Sequence, residues 1–134
     1  MANALYDAGR NSFLTGAINF TSDTIKLALV SSSYTPNLST HDFWNDVSAN
    51  VVGTPQTLAN KTATAGVADA DDVTYTAVAG GSTVSYLVLY KDTGNTATSN
   101  LIACFDTATG LPITTSGADI TIRFDSGSNK IFKL

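Results

Sequence analysis

One histidine, His41, and one cysteine, Cys104, are the chain's only side chains of those two types. His41 is followed by Asp42, and 13 serines are on offer, so a Ser-His-Asp arrangement is the first chemistry to weigh. Such a triad needs an imidazole oriented by a carboxylate and a nucleophile within its reach. No Gly-x-Ser-x-Gly elbow is present, and sequence neighbours rarely form the orienting pair. All 11 acidic residues are Asp, so a two-carboxylate hydrolytic site would have to be Asp–Asp. The expectation is no catalytic site, with His41 a capping or surface residue in a short helix. Cys104 lies in the apolar run Leu101-Ile102-Ala103-Cys104-Phe105 and reads as a small buried hydrophobe. With a single cysteine, no intramolecular disulfide forms.

Asp69-Ala70-Asp71-Asp72 is the one cluster of negative charge, and calcium favours several hard oxygens in a loop. An EF-hand is excluded, because its loop ends on a bidentate Glu and the chain has none. One Cys and one His fall short of a four-ligand zinc site. The cluster therefore reads as a solvated turn, and no metal or cofactor is expected. Gly80-Gly81-Ser82 and Asp92-Thr93-Gly94 lack the Lys-Ser/Thr and the helix of a phosphate loop, and read as hairpin turns. Asn-x-Ser/Thr triplets at Asn19, Asn37 and Asn60 are what chance gives in a chain with 20 Thr and 13 Ser.

Charged residues make up 13% of the chain and hydrophobic residues 43%. The net charge is −4 with seven basic residues, which speaks against a nucleic-acid partner, since phosphate binding needs a basic stripe. No apolar run approaches the ~18 residues of a membrane span. The N-terminus lacks the basic start and apolar core of a signal peptide, so synthesis in a cytosol is expected. With 134 residues, one domain covering 1–134 is expected, large enough to bury a core without staples.

The elements follow from periodicity. Leu5, Ala8, Gly9, Phe13, Leu14, Ala17 and Ile18 recur at helical spacing, which predicts a helical segment within residues 1–20, with Asn3 as N-cap and Gly16 as stop. Gly9 weakens that helix unless something packs close against it. Residues 24–134 read as a β-sandwich. Ile25, Leu27 and Leu29 alternate, Val84 to Tyr90 is the most apolar run, and Leu101–Phe105 and Ile120–Phe124 resume the pattern. Val73–Val78 alternates too, Thr57–Val67 is a weak polar strand, and Val51–Thr54 is a short strand ending before Pro55. Thr107–Pro112 breaks the pattern, and Ser126–Asn129 turns into a last strand, Lys130–Leu134. Thr40 to Val47 could make one or two helical turns, with Phe43, Trp44 and Val47 inward. Near absence of Gln and Glu, together with many Thr, points the same way. The fold class is mainly β: an antiparallel β-sandwich or jelly-roll-like domain with a short N-terminal helix.

Two stretches carry a resemblance. The first is Ala4-Leu5-Tyr6-Asp7-Ala8-Gly9-Arg10-Asn11-Ser12-Phe13-Leu14-Thr15-Gly16 running into Asp23-Thr24-Ile25-Lys26-Leu27-Ala28-Leu29-Val30. The second is Leu89-Tyr90-Lys91-Asp92-Thr93-Gly94 through Leu101-Ile102-Ala103, Asp106-Thr107-Ala108-Thr109-Gly110-Leu111-Pro112 and Gly117-Ala118-Asp119-Ile120-Thr121-Ile122. With the ending Asn129 to Leu134, these resemble a group of small virion structural proteins of tailed bacteriophages with no assigned activity. The resemblance implies a non-enzymatic virion component, made in the host cytoplasm.

The leading expectation is a capsid decoration or cement protein that holds the major capsid protein as a homo-oligomer, with a trimer favoured. The alternative is a tail, baseplate or fibre-associated module, in one version binding a host glycan; a cell-wall hydrolase is the weakest reading. An acidic surface suits the outside of a particle better than contact with packaged DNA. Leu5, Tyr6, Phe13, Leu14, Tyr34, Phe43 and Trp44 are the candidate interface residues, being large apolar groups in polar surroundings.

Overall fold

A computed structural model describes residues 4–106, 111–124 and 131–133. The protein is mainly β, with 40% strand and 12% helix, antiparallel sheets and one short helix near the N-terminus, a β-sandwich-like fold. Among the described residues the order is β1 (Ala4–Leu5), α1 (Asp7–Leu14), β2 (Ile25–Ser31), two 3-10 turns (Trp44–Asp46 and Ser48–Asn50), β3 (Val51–Thr57), β4 (Thr62–Thr64), β5 (Val67–Asp69), β6 (Val73–Tyr75), β7 (Thr83–Lys91), β8 (Leu101–Phe105), β9 (Ile113–Thr114), β10 (Ile120–Ile122) and β11 (Phe132–Lys133).

The main sheet runs β1-β8-β7-β2-β3, and β9 joins it beside the start of β7. Successive side chains of a strand point to opposite faces, so each inner strand feeds two cores. Ile25, Leu27, Leu29, Leu87, Leu89 and Ile102 line one face. Ala28, Val30, Val88, Tyr90, Leu101 and Cys104 line the other. Two small sheets, β10-β6 and β11-β5-β4, supply Val73, Tyr75, Ile122, Ala68 and Phe132 to the first core. The second core is filled from outside the sheets by Tyr6 and by Tyr34, Trp44 and Val47, which belong to a strap of chain over residues 32–50.

Opposite Leu27 and Leu29 the β2–β3 register jumps from Gln56 to Val52, so Ala28 stands against Gly53-Thr54-Pro55. Gly53 takes φ +68 there, and Pro55, which has no amide proton, sits where the ladder is already interrupted. The Tyr75 hydroxyl reaches across the core and donates to the Leu27 carbonyl. That supplies a partner at a break in the ladder, where a buried carbonyl would otherwise be costly.

Several elements differ from the sequence expectation. The first twenty residues are not one helical segment. Ala4 and Leu5 pair with Cys104 and Ala103 at the sheet edge, so the helix begins at Asp7 and Tyr6 takes the N-cap position. Asn3 lies outside the described residues. Gly16, at φ +80, does end the helix region. β3 runs through Pro55 by means of the bulge. Thr57–Val67 divides into β3's end, β4 and the start of β5, with Ala65 and Gly66 both at positive φ in a two-residue hairpin turn. β6 stops at Tyr75, and Ala77 turns to φ 48. Gly80-Gly81 closes no β6–β7 hairpin, because β6 pairs with β10 and β7 starts against β9. Ile120–Ile122 therefore belongs to a small covering sheet and not to the central one. Residues 107–110 of the Thr107–Pro112 break, the turn at Ser126–Asn129, and Lys130 and Leu134 of the last predicted strand lie outside the described residues. No helix among the described residues is long and apolar enough to cross a membrane.

Candidate functional site

The side chains with chemical capacity come together where the strap crosses the N-terminal segment. Tyr6 is the joint. It is extended, at φ −67 and ψ 146, because β1 has just ended on the sheet and α1 has not begun. Its amide donates to the Ile102 carbonyl at 2.9 Å, and the next amide, that of Asp7, donates to the Leu38 carbonyl of the strap at 2.9 Å. Strand β8 is thus tied to the strap through two consecutive residues.

The Tyr6 ring is buried in the second core, and its hydroxyl meets the Tyr34 hydroxyl at 2.8 Å. The Tyr34 hydroxyl in turn lies 2.7 Å from Nδ1 of His41, with the two rings 5.5 Å apart. The Cys104 thiol shares the second core with Tyr6 and acts on it electrostatically. The result is a row, Tyr6–Tyr34–His41, from a fully buried phenol to a half-buried imidazole. Burial pushes the Tyr6 phenol far above its ordinary range, and the nearby Cys104 adds to that. Burial likewise pushes Tyr34 up to about 12 and Cys104 up to about 12. Near neutral pH Tyr6, Tyr34 and Cys104 are therefore all uncharged. A thiol held in its protonated form in apolar surroundings is a poor nucleophile. Chemically, the row can fasten the strap and pass hydrogen bonds along; it offers no activated attacking group.

Around the row the strap is held by backbone. The Leu101 amide donates to the Asp42 carbonyl at 3.0 Å, and the Trp44 amide to the Ser99 carbonyl at 2.8 Å. The Trp44 indole stacks on Tyr90 with ring centres 4.0 Å apart and planes 10° from parallel.

The seven candidate interface residues differ in where the fold places them. Leu5, Tyr6, Tyr34 and Trp44 are buried in the chain's own two cores, since the large apolar groups of the strap and N-terminal joint are what cover the sheet. Phe43 is half-buried and forms a β-bridge with Asn100. Phe13 is half-buried against Phe132, ring centres 5.8 Å apart. Leu14 is different: at 86% exposed, it is the exposed large hydrophobic side chain of the described residues.

His41 is not paired with its neighbour Asp42; it faces Tyr34. Members of the acidic cluster point to different partners: Asp71 accepts from the Asn60 side chain, and Asp72 accepts from the Phe124 amide at 3.0 Å. Among the described residues, no group of three or more metal-ligating side chains is gathered. Asn19 and Asn37 use their side-chain oxygens to accept local amide protons, and so build turns. In the Asp92 loop, the Gly94 amide donates to Asp92 at 2.9 Å, and Asp92 also pairs with Lys26 at 2.8 Å.

Sequence reasoning missed the row itself. Tyr6 and Tyr34 stand 28 residues apart and His41 seven further on. The available signal was weak: a tyrosine between a strand and a helix, and a lone histidine in a loop with a second tyrosine. No protein-family model matches the chain, and a search of curated proteins finds no significant relative.

Proposed function

We propose that the protein is a non-enzymatic structural component of a tailed-bacteriophage virion, a decoration protein that docks on the outer capsid surface as an oligomer. The motif resemblance supports the virion, and the acidic balance of the chain suits the outside of a particle. The observation that carries the docking is Leu14, exposed at the C-terminal end of α1, whose polar and charged positions include Asp7, Arg10 and Asn11. An apolar anchor set in polar surroundings is the type of residue that dominates interfaces. Repetition of such a patch in a symmetric oligomer multiplies weak contacts without new chemistry. The fused strap and N-terminal joint give α1 a rigid base from which to present it.

Cosedimentation of purified protein with undecorated heads tests this reading. Leu14→Ser is expected to fold with a stability change within about 0.5 kcal/mol, as for an exposed site, yet to lose binding to heads by tenfold or more, as expected when an anchor worth roughly 1.4 kcal/mol or more is removed. Full binding by Leu14→Ser would contradict the docking role of α1.

A further inference from the structure

We infer that the second core leads single oxidising equivalents to Tyr34, which gives up an electron to an outer-sphere one-electron oxidant while its phenolic proton passes to Nδ1 of His41. The two cores divide the aromatic residues by chemistry. Five of the six phenylalanines, Phe13, Phe20, Phe105, Phe124 and Phe132, pack in or against the first core. Four of the five tyrosines, Tyr6, Tyr34, Tyr86 and Tyr90, and the lone tryptophan, Trp44, pack in or against the second. Phenol and indole rings lose an electron far more readily than a phenyl ring, so the oxidisable rings are gathered on one face of the main sheet. The inference is independent of the virion reading.

The rings stand close enough to exchange electrons. Trp44 lies on Tyr90 at 4.0 Å, Tyr86 is edge-on to Tyr34 at 5.9 Å, and the Tyr34 and Tyr6 hydroxyls meet at 2.8 Å. Tyr86 is half-buried, which gives an oxidant in solvent an entry to the buried Tyr34. An outer-sphere oxidant forms no bond to the protein and needs no pocket.

What singles out Tyr34 is the destination of its proton. A phenol that has lost an electron is a strong acid, and burial disfavours the charged radical cation. The hole therefore settles where a base is in reach, and the Tyr34 hydroxyl lies 2.7 Å from His41 Nδ1. The direction of the row agrees. The Tyr6 hydroxyl has the Tyr34 oxygen as its partner in the core, so it donates there; Tyr34 is then left to donate to a bare Nδ1. Tyr75, in the first core, is the contrast: its hydroxyl donates to the Leu27 carbonyl, an oxygen that does not keep a proton.

In the step, the Tyr34 O–H bond breaks, an N–H bond forms at Nδ1, and one electron reduces the oxidant. Tyr34 becomes a neutral phenoxyl that still accepts from Tyr6, and His41 becomes an imidazolium. The Asp46 carboxylate, which accepts from the Asp42 amide at 3.0 Å and acts electrostatically on Tyr34, has the sign that favours this cation. A one-electron reductant such as ascorbate returns the electron, and the proton goes back to oxygen.

Photogenerated tris(bipyridine)ruthenium(III) supplies the oxidant for the test, with the intact protein carrying histidine labelled with the heavy nitrogen isotope. His41 is the only histidine, so labelled-nitrogen coupling on a trapped radical comes from its ring. The buffer is held at about pH 8, the upper end of the range over which imidazole side chains change charge. The expected result is a neutral tyrosyl radical in the freeze-quenched sample, coupled to the labelled nitrogen in electron-nuclear double resonance. His41→Gln keeps an amide oxygen that accepts from Tyr34 but does not hold its proton. Radical formation in that variant is expected to slow by roughly a hundredfold or more, the usual worth of a positioned base. A tyrosyl radical without the coupling overturns the inference. So does a tryptophanyl radical in its place, a protein that is not oxidised, or an unchanged rate in His41→Gln. The coupling is read in the unsubstituted protein, so it decides the question even where the variant fails to fold.

Discussion

Gly9 shows how narrowly a single position can be set. A Cβ there would lie 2.7 Å from the Ile102 carbonyl oxygen and 2.8 Å from that of Leu101, both backbone atoms of β8. In an open helix Gly→Ala adds about 1 kcal/mol of helix propensity. On this sheet edge the clash outweighs it, and Gly9→Ala is expected to lose about 1–3 kcal/mol, as overpacking does. Urea unfolding measures it; a gain in stability would mean that α1 does not rest on β8. The need for close packing at Gly9 could be posed from sequence, because glycine in a helical pattern calls for a reason. The partner could not, since nothing local in residues 4–16 encodes contact with residues 101 and 102. The same limit hid the phenol row. Periodicity reports which face a residue occupies, and says nothing of which distant hydroxyl it meets there.

At the scale of elements, legibility follows the pleat. Val84 to Tyr90 announces an inner strand because both of its faces are apolar, and β7 is indeed hydrogen-bonded to β8 on one side and β2 on the other. Leu89 is fully buried between them in the first core. Leu89→Ala is expected to cost about 2–5 kcal/mol, seen as a drop in the urea midpoint with an unchanged slope; a neutral result would remove β7 from the centre of the sheet. Short covering elements were harder to read. Ala4-Leu5 matches a helical stripe as well as a strand edge, and only pairing with β8 decides between them. Val73–Val78 alternates, yet positive φ at Ala77 ends the strand early. The aromatics of the strap sit in polar sequence, a pattern that fits an outward contact and an inward cover alike. In the fold those aromatics are the cover for a sheet face that the two small sheets leave bare, and Trp44 on Tyr90 is the centre of that cover.

At the scale of the whole molecule, charge sets how stability varies with pH. Asp23 is held below the usual carboxylate range by the Asn19 amide and by Lys91, and Asp92 by Lys26 and the Gly94 amide. Carboxylates lowered in the folded state add stability that is present above their unfolded value, near about 3.9, and is lost as the pH falls through the folded values. Cys104 and the buried tyrosines are raised, so their contribution is present below their unfolded values and is lost as the pH climbs past about 9–10. The melting temperature is therefore expected to be flat between about pH 5 and about pH 8 and to fall on both sides; in Lys26→Met the acid fall should be shallower, and an equal acid slope would show that the Lys26–Asp92 pair adds nothing. For the proposed role, assembly is the larger question, because a chain of 134 residues has little surface with which to hold a capsid alone. Counting its copies in purified particles by quantitative mass spectrometry, referenced to the major capsid protein, tests the proposed decoration role most directly. A ratio near one to one, or one trimer for every few capsid subunits, is the predicted result; a handful of copies per particle, or none, would contradict it.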